Sequence, residues 1–362
     1  MVQTHPCLQC GANLAYDPAS GALLCRSCGY QRPVEVDAGR PVPSHSLLAM
    51  RSDPQMRGLL GAVSMDSAVY EIVCQNCGGT TTFTGTLTAT KCPFCATPIQ
   101  RTDIHDAPDR LKVDGVLPFT VSDKLAHEHV DKWINSRWFA PTEFKKYREV
   151  GALSSVYMSY FAYTTEAYSE YTGQRGRRYT VTVGSGDNQR TETRVDWTPV
   201  RGRVRNSFRD VPTLANKNLD GRRVEALKPW PIHDIKPFST EFLAGHLSNT
   251  YDRGPEDTFE LARQEEIDPT IRETVRRDIG GDEQRIHRVD SRFDPLDFRY
   301  LLIPLWLLTV VYAGKPFQVY INGVTGEVQG QRPYSWVKIV SAVVGVIAVI
   351  AAVWLIVRVV GG

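Results

Sequence analysis

The longest apolar stretch of the chain lies near its C-terminus. Residues 339–357 are 19 uncharged, mostly β-branched or small residues with a basic residue on either side. As a helix this stretch extends roughly 28 Å, close to the ~30 Å hydrocarbon core of a bilayer. Trp336 and Trp354 lie near its two ends, where interfacial anchors occur. The pattern predicts a transmembrane helix over 338–358 that anchors the protein by its C-terminus.

Two helical patterns interrupt the stretch 101–335. Ser122 can cap the first helix, and Asp268 with Pro269 can begin the second. Their apolar stripes are Ala126, Val130, Trp133 and Ile134 in the first helix and Ile271, Val275 and Ile279 in the second. Each stripe predicts a helix with one buried face.

Strand patterns dominate the rest of that stretch. Residues 178–183 and 189–197 flank the polar turn 184–188, which is typical of a β-hairpin. The apolar run 301–313 is too short to cross a bilayer and contains Pro304, so we expect a buried strand there. Together with the two helices, these strands predict an α+β body over 101–335.

All eight cysteines fall into two sets with the same spacing. In each set two C-x2-C pairs are separated by 14 residues, and the second set lies 67 positions after the first. The sets are Cys7, Cys10, Cys25 and Cys28, then Cys74, Cys77, Cys92 and Cys95. Two C-x2-C turns supply the four corners of a tetrahedral Zn²⁺ site, and Gly11, Gly29 and Gly78 allow three of the turns to close.

The residues between the paired cysteines favour short strands. Leu14, Tyr16 and residues 22–24 flank a turn over 17–21, and residues 80–90 are rich in threonine. The sequence therefore predicts two zinc-ribbon β modules, 1–32 and 69–100, each with one structural Zn²⁺. A rubredoxin-like iron site, disulfides and redox thiols are the alternatives. Four thiolate ligands leave no open position for a catalytic water.

The segment between the two cysteine sets has the composition of a linker. Residues 33–68 contain Pro33, Pro41, Pro43 and Pro54, several glycines and no sustained periodicity. The predicted order is thus two small ribbons joined by this linker, then the α+β body, then the transmembrane helix.

Charge and topology signals favour the cytoplasm. The first residues lack the pattern of a secretory signal peptide, and cysteine clusters in a reducing compartment more often bind metal than form disulfides. Arg332 and Lys338 precede the span and Arg358 follows it. We expect a single-pass protein of the cytoplasmic (inner) membrane whose N-terminal bulk faces the cytoplasm.

The predicted hairpin is rich in arginine, although the formal net charge of the whole chain is only +2. A dedicated nucleic-acid binder usually has a strong basic excess. A solvated sheet face, a surface for anionic lipid or an acidic partner, and a nucleic-acid interface are the three interpretations of the hairpin. The candidate residues for an anionic surface are Arg175, Arg177, Arg178, Arg190 and Arg194.

No catalytic constellation is recognisable. The chain has no G-x-x-x-x-G-K-[ST] phosphate-binding loop. His127-Glu128 begins like H-E-x-x-H, but Asp131 stands where the second histidine is needed. Glu265, Glu266 and Asp268 fit a solvated helix face. We therefore predict a protein without enzymatic activity.

Several runs resemble a family of bacterial membrane-anchored proteins described as TFIIB-type zinc-ribbon-containing, whose members are sometimes labelled primosomal protein N′ or helicase-like. The runs are residues 117–119, Trp133, 138–141, 171–176, 197–200, 276–285, 322–328 and 331–336. The resemblance implies a protein without known catalysis, encoded near phage-shock-type and SPFH/flotillin-like proteins. It thus implies a scaffold in membrane stress or membrane organisation, with proteins of those types as partners.

Two functions follow from these observations. The first is a membrane-anchored zinc-ribbon scaffold or adaptor that recruits cytoplasmic proteins. The second is a nucleic-acid-binding protein tethered to the membrane, since ribbons and an arginine-rich hairpin suit that role. The sequence suggests no small-molecule substrate.

Overall fold

The computed structural model describes residues 5–36, 39–52, 69–74, 80–84, 92, 104–106, 111–145, 151–184, 189–217, 219–313 and 315–360. In these parts the strands form two sheets. The smaller sheet holds β1 (Leu14–Asp17), β2 (Ala22–Cys25) and β3 (Gln31–Pro33) in antiparallel order. The turn between β1 and β2 closes with Gly21 at φ +63° and a bond from its N–H to the Asp17 carbonyl. The predicted hairpin at this place is confirmed.

Twelve described strands form the larger sheet. They are β4 (His45–Ser46), β5 (Val69–Val73), β6 (Thr80–Thr84), β7 (Ile104–Asp106), β8 (Gly115–Val116), β9 (Gly151–Val183), β10 (Arg190–Leu214), β11 (Lys236–Pro237), β12 (Leu247–Asn249), β13 (Glu283–Tyr312), β14 (Lys315–Asn322) and β15 (Val328–Gly330).

Three long antiparallel strands are the framework of this sheet. β9 pairs with β13 from Gly151 to Gly176, and with β10 on its other edge from Tyr160 to Val183. Residues 172–183 of β9, 190–201 of β10 and 283–289 of β13 form an arm of the sheet in which most residues are exposed or half-buried. Register shifts interrupt β10 once and β13 twice, and such bulges bend and twist long strands. The predicted arginine-rich hairpin is confirmed as the end of this arm.

The free edge of β13 is covered by short strands. β14 pairs with its last residues, β8 with Leu301 and Leu302, and β4 with Asp297 and Phe298. The run 301–313, predicted as a buried strand, lies at the end of β13. Residues 301–310 are buried because the sheet is covered on both faces there. This strand begins at Glu283, well before the predicted run.

Seven described α-helices accompany the sheets. They are α1 (Leu47–Ser52), α2 (Asp123–Asn135), α3 (Thr142–Lys145), α4 (Gly221–Glu225), α5 (Pro255–Ala262), α6 (Asp268–Ile279) and α7 (Trp336–Val360). The first predicted helix is confirmed as α2, with Ser122 accepting a hydrogen bond from the Leu125 N–H. Two short 3-10 turns, Ile232–Asp234 and Thr240–Leu243, lie between α4 and α5.

The second predicted helix starts earlier than the sequence indicated. A π-helical turn, Arg263–Ile267, joins α5 to α6, so Asp268 continues a helix instead of capping one. The buried side chains Phe259 and Ile267 keep the chain on the sheet through this turn. Ile271, Val275 and Ile279 are buried as predicted, and Gly280 ends the helix at φ +64°.

The large sheet separates two apolar clusters. Tyr157, Phe161 and Tyr163 of β9 face the larger cluster, whereas Met158 and Tyr160 face the smaller one. Alternate residues of a strand point to opposite faces, so both faces of this part of β9 are buried. Within the predicted linker, Leu47 and Met50 of α1 are buried in the larger cluster. Part of the linker is therefore ordered on the core.

Candidate metal centre and the surfaces around it

Two cysteine turns of the same geometry build the first site. Gly11 and Gly29 each follow the second cysteine of a pair, with φ of +73° and +78°. Each glycine N–H donates to the carbonyl of the first cysteine, Cys7 or Cys25, at 2.9 Å. A side chain at either glycine would meet nothing within 4 Å, so the backbone conformation, and not space, favours glycine there.

The four sulfurs of the first set converge. The Sγ atoms of Cys7, Cys10, Cys25 and Cys28 all lie within 4.8 Å of one another. The Cys7–Cys28 and Cys10–Cys25 sulfur pairs are each 3.5 Å apart. A tetrahedral Zn²⁺ ion with bonds of about 2.3 Å places its sulfur ligands about 3.8 Å apart. The quartet therefore fits a tetrahedral metal ion, as the sequence predicted.

Protonation of the quartet is uneven. A hydrogen bond from the backbone of Cys28, above all, lowers the pKa of the Cys25 thiol to about 6. The backbone of Tyr30 lowers the pKa of Cys28, but desolvation and the sulfur of Cys10 outweigh it and raise that pKa to about 12. Desolvation and the neighbouring sulfurs thus oppose the ionisation of further thiols in the quartet. A bound divalent cation would offset this effect because it stabilises the thiolate forms.

The first cysteine module packs directly on the body. Cys7 and Cys25 are buried in the same cluster as the large sheet. The Tyr16 N–H donates to the Ala244 carbonyl at 2.8 Å, and the Tyr16 hydroxyl donates to the Phe119 carbonyl at 3.3 Å. These contacts integrate the module into the fold.

An ion pair supports the same junction. Arg32 Nη2 lies 2.5 Å from Glu241 Oε1, and the Glu35 N–H donates to the other oxygen of Glu241 at 2.9 Å. The Glu241 side chain is only 12% exposed, so this carboxylate is held mainly by the module. Gly245 approaches so closely that a Cβ there would lie 2.7 Å from the Cβ of Ala15.

The second cysteine set is described only in part. Cys74 and Cys92 are buried, each 4% exposed, and belong to the smaller apolar cluster. Cys77 and Cys95 lie outside the described residues. The buried cysteines described in the two sets thus belong to different apolar clusters, Cys7 and Cys25 to the larger and Cys74 and Cys92 to the smaller. Of the stretch 80–90 predicted to favour strands, residues 80–84 form β6, which pairs with β5, and residues 85–90 lie outside the described residues.

The C-terminal helix is long and apolar enough to cross a membrane. None of its stretch Trp336–Trp354 is buried inside the protein. Ile347 and Trp354 are 59% and 57% exposed. An amphipathic core helix would bury one face, whereas this helix exposes large apolar side chains along its length. The exposure fits the predicted anchor.

Carboxylates and backbone groups engage most of the predicted basic residues. Arg178 pairs with Glu283 at 3.0 Å, and Arg190 and Arg194 both pair with Glu192, at 2.9 and 3.5 Å. Arg175 donates through Nε to the carbonyl of Ile279, the last residue of α6. Arg177 is exposed on β9 and has no ion pair with any described residue. The two carboxylates, Glu192 and Glu283, reduce the net positive charge of the arm.

A cleft that no sequence pattern predicted lies beside the start of α7. Its volume is about 480 Å³. The lining residues are Trp133, Arg137, Arg223, Phe317, Gln329, Gly330, Gln331, Arg332 and Tyr334. They come from four separate parts of the chain, so periodicity gave no signal. The sequence hint is the pairing of Arg332 with Tyr334 immediately before an apolar helix.

The fold and the site define the chain as a protein that joins four converging N-terminal cysteines and a small sheet to a large bulged sheet and a C-terminal apolar helix. The chain is similar to the uncharacterised protein YdjG of Bacillus subtilis (strain 168), with 24% identity over 344 residues. That similarity covers 94% of this chain and 92% of the relative. No protein-family model and no solved structure matches the chain.

Proposed function

We propose that the protein is a non-catalytic, zinc-stabilised adaptor, held at the cytoplasmic membrane by α7 and recruiting cytoplasmic proteins. The observation that carries the proposal is the joining of two features in one fold. Two of the four converging cysteines, Cys7 and Cys25, lie in the main core, and an unburied apolar helix follows that core in the chain. An adaptor needs these two properties: a rigid exposed module and an attachment to the membrane.

The sulfur geometry supports zinc. Four thiolates in a tetrahedral array suit Zn²⁺ or iron, and the resemblance to TFIIB-type ribbons favours Zn²⁺. The same spacing in the second cysteine set supports a second zinc there. With four sulfur ligands the ion would have a structural role.

The outer surface of the first module supports protein binding. Leu8 lies between the cysteines of the first pair and is 79% exposed. The same turn exposes Cys10 and Gln9, while Cys7 is buried. An apolar side chain on a metal-braced turn is a rigid contact point, which reduces the entropy cost of binding. The resemblance suggests phage-shock-type or SPFH/flotillin-like proteins as partners.

Elemental analysis of the purified full chain tests the metal. We expect about two zinc per chain, and about one after Cys7 and Cys10 are both changed to serine. A single zinc in the wild type would refute the second site, and dominant iron would refute zinc.

Cell fractionation tests the anchor and its orientation. Deleting residues 338–362 should release the protein from the membrane fraction, and protease added to intact cells should leave the N-terminal part uncut. Retention of the truncated chain after a high-salt wash contradicts a single anchor. Cleavage from outside contradicts the cytoplasmic orientation.

Capture from detergent-solubilised native membranes tests the adaptor role. Leu8→Ser should lose specific protein partners that the wild type retains. Leu125→Ser, on the 44% exposed Leu125 of α2, is the matched control and should retain them. Recovery of nucleic acid that dissociates steeply with salt, without specific proteins, would instead support the nucleic-acid alternative.

A further inference from the structure

Three arginines line the cleft beside α7. Arg137 follows α2, Arg223 belongs to α4, and Arg332 lies between β15 and α7. The described lining includes no aspartate or glutamate. Arg223 forms an ion pair with Asp220, while Arg137 and Arg332 have no ion pair with described residues. The cleft therefore carries a net positive charge.

Aromatic rings hold two of these arginines in place. The Arg137 guanidinium lies 5.0 Å from the centroid of the Trp133 ring, and that of Arg332 lies 5.3 Å from the centroid of the Tyr334 ring. Stacking on a ring restricts a guanidinium but leaves its N–H groups able to donate. The Nε atom of Arg137 is buried without a hydrogen-bond partner among the described residues. A buried unpaired donor is costly unless a ligand accepts its bond.

Close packing shapes the floor of the cleft. Gly330 lies against Trp133 and Val319, and a Cβ at Gly330 would stand 3.0 Å from Cη2 of the tryptophan and 2.9 Å from Cγ2 of the valine. The amides of Gln329 and Gln331 add neutral hydrogen-bonding groups to the wall. A space of about 480 Å³ accommodates a small polar head group.

The position of the cleft relative to α7 indicates the source of the ligand. Tyr334 lines the cleft two residues before α7 begins. The Ser335 N–H donates to the Phe139 carbonyl at 2.8 Å, and the Lys338 ammonium donates to the Ala140 carbonyl at 2.7 Å. These bonds tie the start of α7 to the loop after α2, next to Arg137.

Exposed aromatic residues surround the same point. Trp138 is 72% exposed, Phe139 is 39% exposed and Trp336 is 77% exposed. Aromatic residues of this kind occupy the boundary between membrane and water. With α7 in a bilayer, the cleft then lies at the level of the lipid head groups.

We propose that this arginine cleft binds the phosphate of an anionic phospholipid head group in the leaflet next to the folded part of the chain. Planar guanidinium groups match phosphate oxygens and donate paired hydrogen bonds to them. The assignment rests on the proposed membrane attachment. Its effect is to fix the orientation of the body on the membrane, beyond what a flexible tail would do.

Native mass spectrometry of the full chain in mild non-ionic detergent tests the cleft. The protein is incubated with phosphatidylglycerol or with phosphatidylcholine of the same chain length. We expect retention of phosphatidylglycerol, and a loss of about tenfold or more in affinity for Arg137→Gln and for Arg332→Gln, because each variant removes charge-assisted hydrogen bonds. Arg272→Gln, at an exposed residue of α6 that does not line the cleft, changes the net charge equally and should bind like wild type.

Three results would overturn the proposal. They are equal retention of the two lipids by the wild type, unchanged binding by both cleft variants, and inorganic phosphate or glycerol 3-phosphate binding as tightly as phosphatidylglycerol. The last result would make the cleft a site for soluble anions. Unchanged thermal unfolding of Arg332→Gln, which lies outside helices and strands, excludes misfolding as the cause of a loss.

Fractionation of the same variants separates this proposal from membrane anchoring. The cleft variants should stay in the membrane fraction because α7 is intact. If the wild type itself is absent from membranes, the proposed function fails, while the lipid comparison in detergent still decides what the cleft binds.

Discussion

At the scale of single residues, Gly11 and Gly29 keep the two metal-binding turns closed. Both have positive φ, and neither has a neighbour that a Cβ would touch. An L residue in this conformation costs about 1–2 kcal/mol. An L residue at Gly11 or Gly29 would therefore destabilise the folded module in which the four sulfurs converge.

Gly29→Ala should therefore weaken zinc binding by about 5- to 30-fold, which corresponds to that cost. Competition with a coloured chelator measures the affinity. Gly221→Ala is the matched control, because Gly221 begins α4 with ordinary φ and a Cβ there would meet no atom within 4 Å. Equal affinities for the two variants would contradict the role of positive φ.

His246 is a second residue whose setting has a measurable consequence. Its ring stacks on Phe119, with centroids 4.6 Å apart, and lies near Tyr16 and Tyr157. Burial is the main cause that lowers its pKa from 6.5 to about 4. The folded protein thus keeps this histidine neutral where the unfolded chain takes up a proton.

Stability should fall as the pH drops from about 6.5 to about 4, by roughly 3 kcal/mol from this group, because only the unfolded state gains a proton there. Above pH 6.5 the group has no effect, and below 4 the loss levels off. His246→Phe should lose less stability than wild type over this interval in detergent. His233→Phe, at an 81% exposed side chain, should follow the wild type.

At the scale of elements, the cysteine module is held to the body by few but specific contacts. Glu241 accepts bonds from Arg32 and from the backbone of Glu35. This carboxylate is mostly buried and is the closest ion-pair partner of Arg32 among the described residues, so its loss leaves the guanidinium of Arg32 without that partner. The interface also includes the apolar contact of Tyr16 with Phe242, whose ring centroids are 5.4 Å apart.

Glu241→Ala should loosen β1–β3 by about 1–3 kcal/mol, the cost of removing one partner from a buried charged hydrogen bond. Hydrogen exchange in β3 should accelerate more than exchange in β9, because β3 lies beside the lost contact. Glu260→Ala removes an exposed ion pair with Arg263 and should leave exchange in β3 as in wild type. Unchanged exchange in Glu241→Ala would contradict the docking role.

At the scale of the whole molecule, the first metal site and the large sheet share one apolar cluster. Cys7, Leu14, Tyr16, Leu23 and Cys25 pack with residues of β9 and β13. A module that shares a core with its neighbour unfolds with it.

Cys25→Ser should therefore lower a common unfolding transition, by about 1.5 °C for each kcal/mol of stability lost in a chain of this size. Thermal unfolding followed by circular dichroism at near- and far-ultraviolet wavelengths measures this shift. Ser27→Ala, which changes an exposed residue in the same turn, should unfold like wild type. A separate early transition with an unchanged main one would refute the shared core.

The local patterns were sufficient for several parts of the fold. The cysteine spacing predicted the first quartet, Ser122 predicted the start of α2, and the stretch 339–357 predicted the helix that could span a membrane. These features depend on residues close together in sequence, where the spacing of side chains along a turn, strand or helix decides the result.

Other features depended on contacts between distant segments. The chain stays helical from α5 through the π-helical turn into α6 because Phe259 and Ile267 pack on the sheet. This packing outweighs the helix-start signal at Asp268 in the sequence. The packing of the cysteine module on Glu241 and Phe242, and the meeting of Arg137, Arg223 and Arg332 in one cleft, join residues far apart in the chain. By itself the sequence determined which residues can bind metal and cross a membrane. Only the tertiary structure decided which surfaces those residues share, because the core brings the distant segments together.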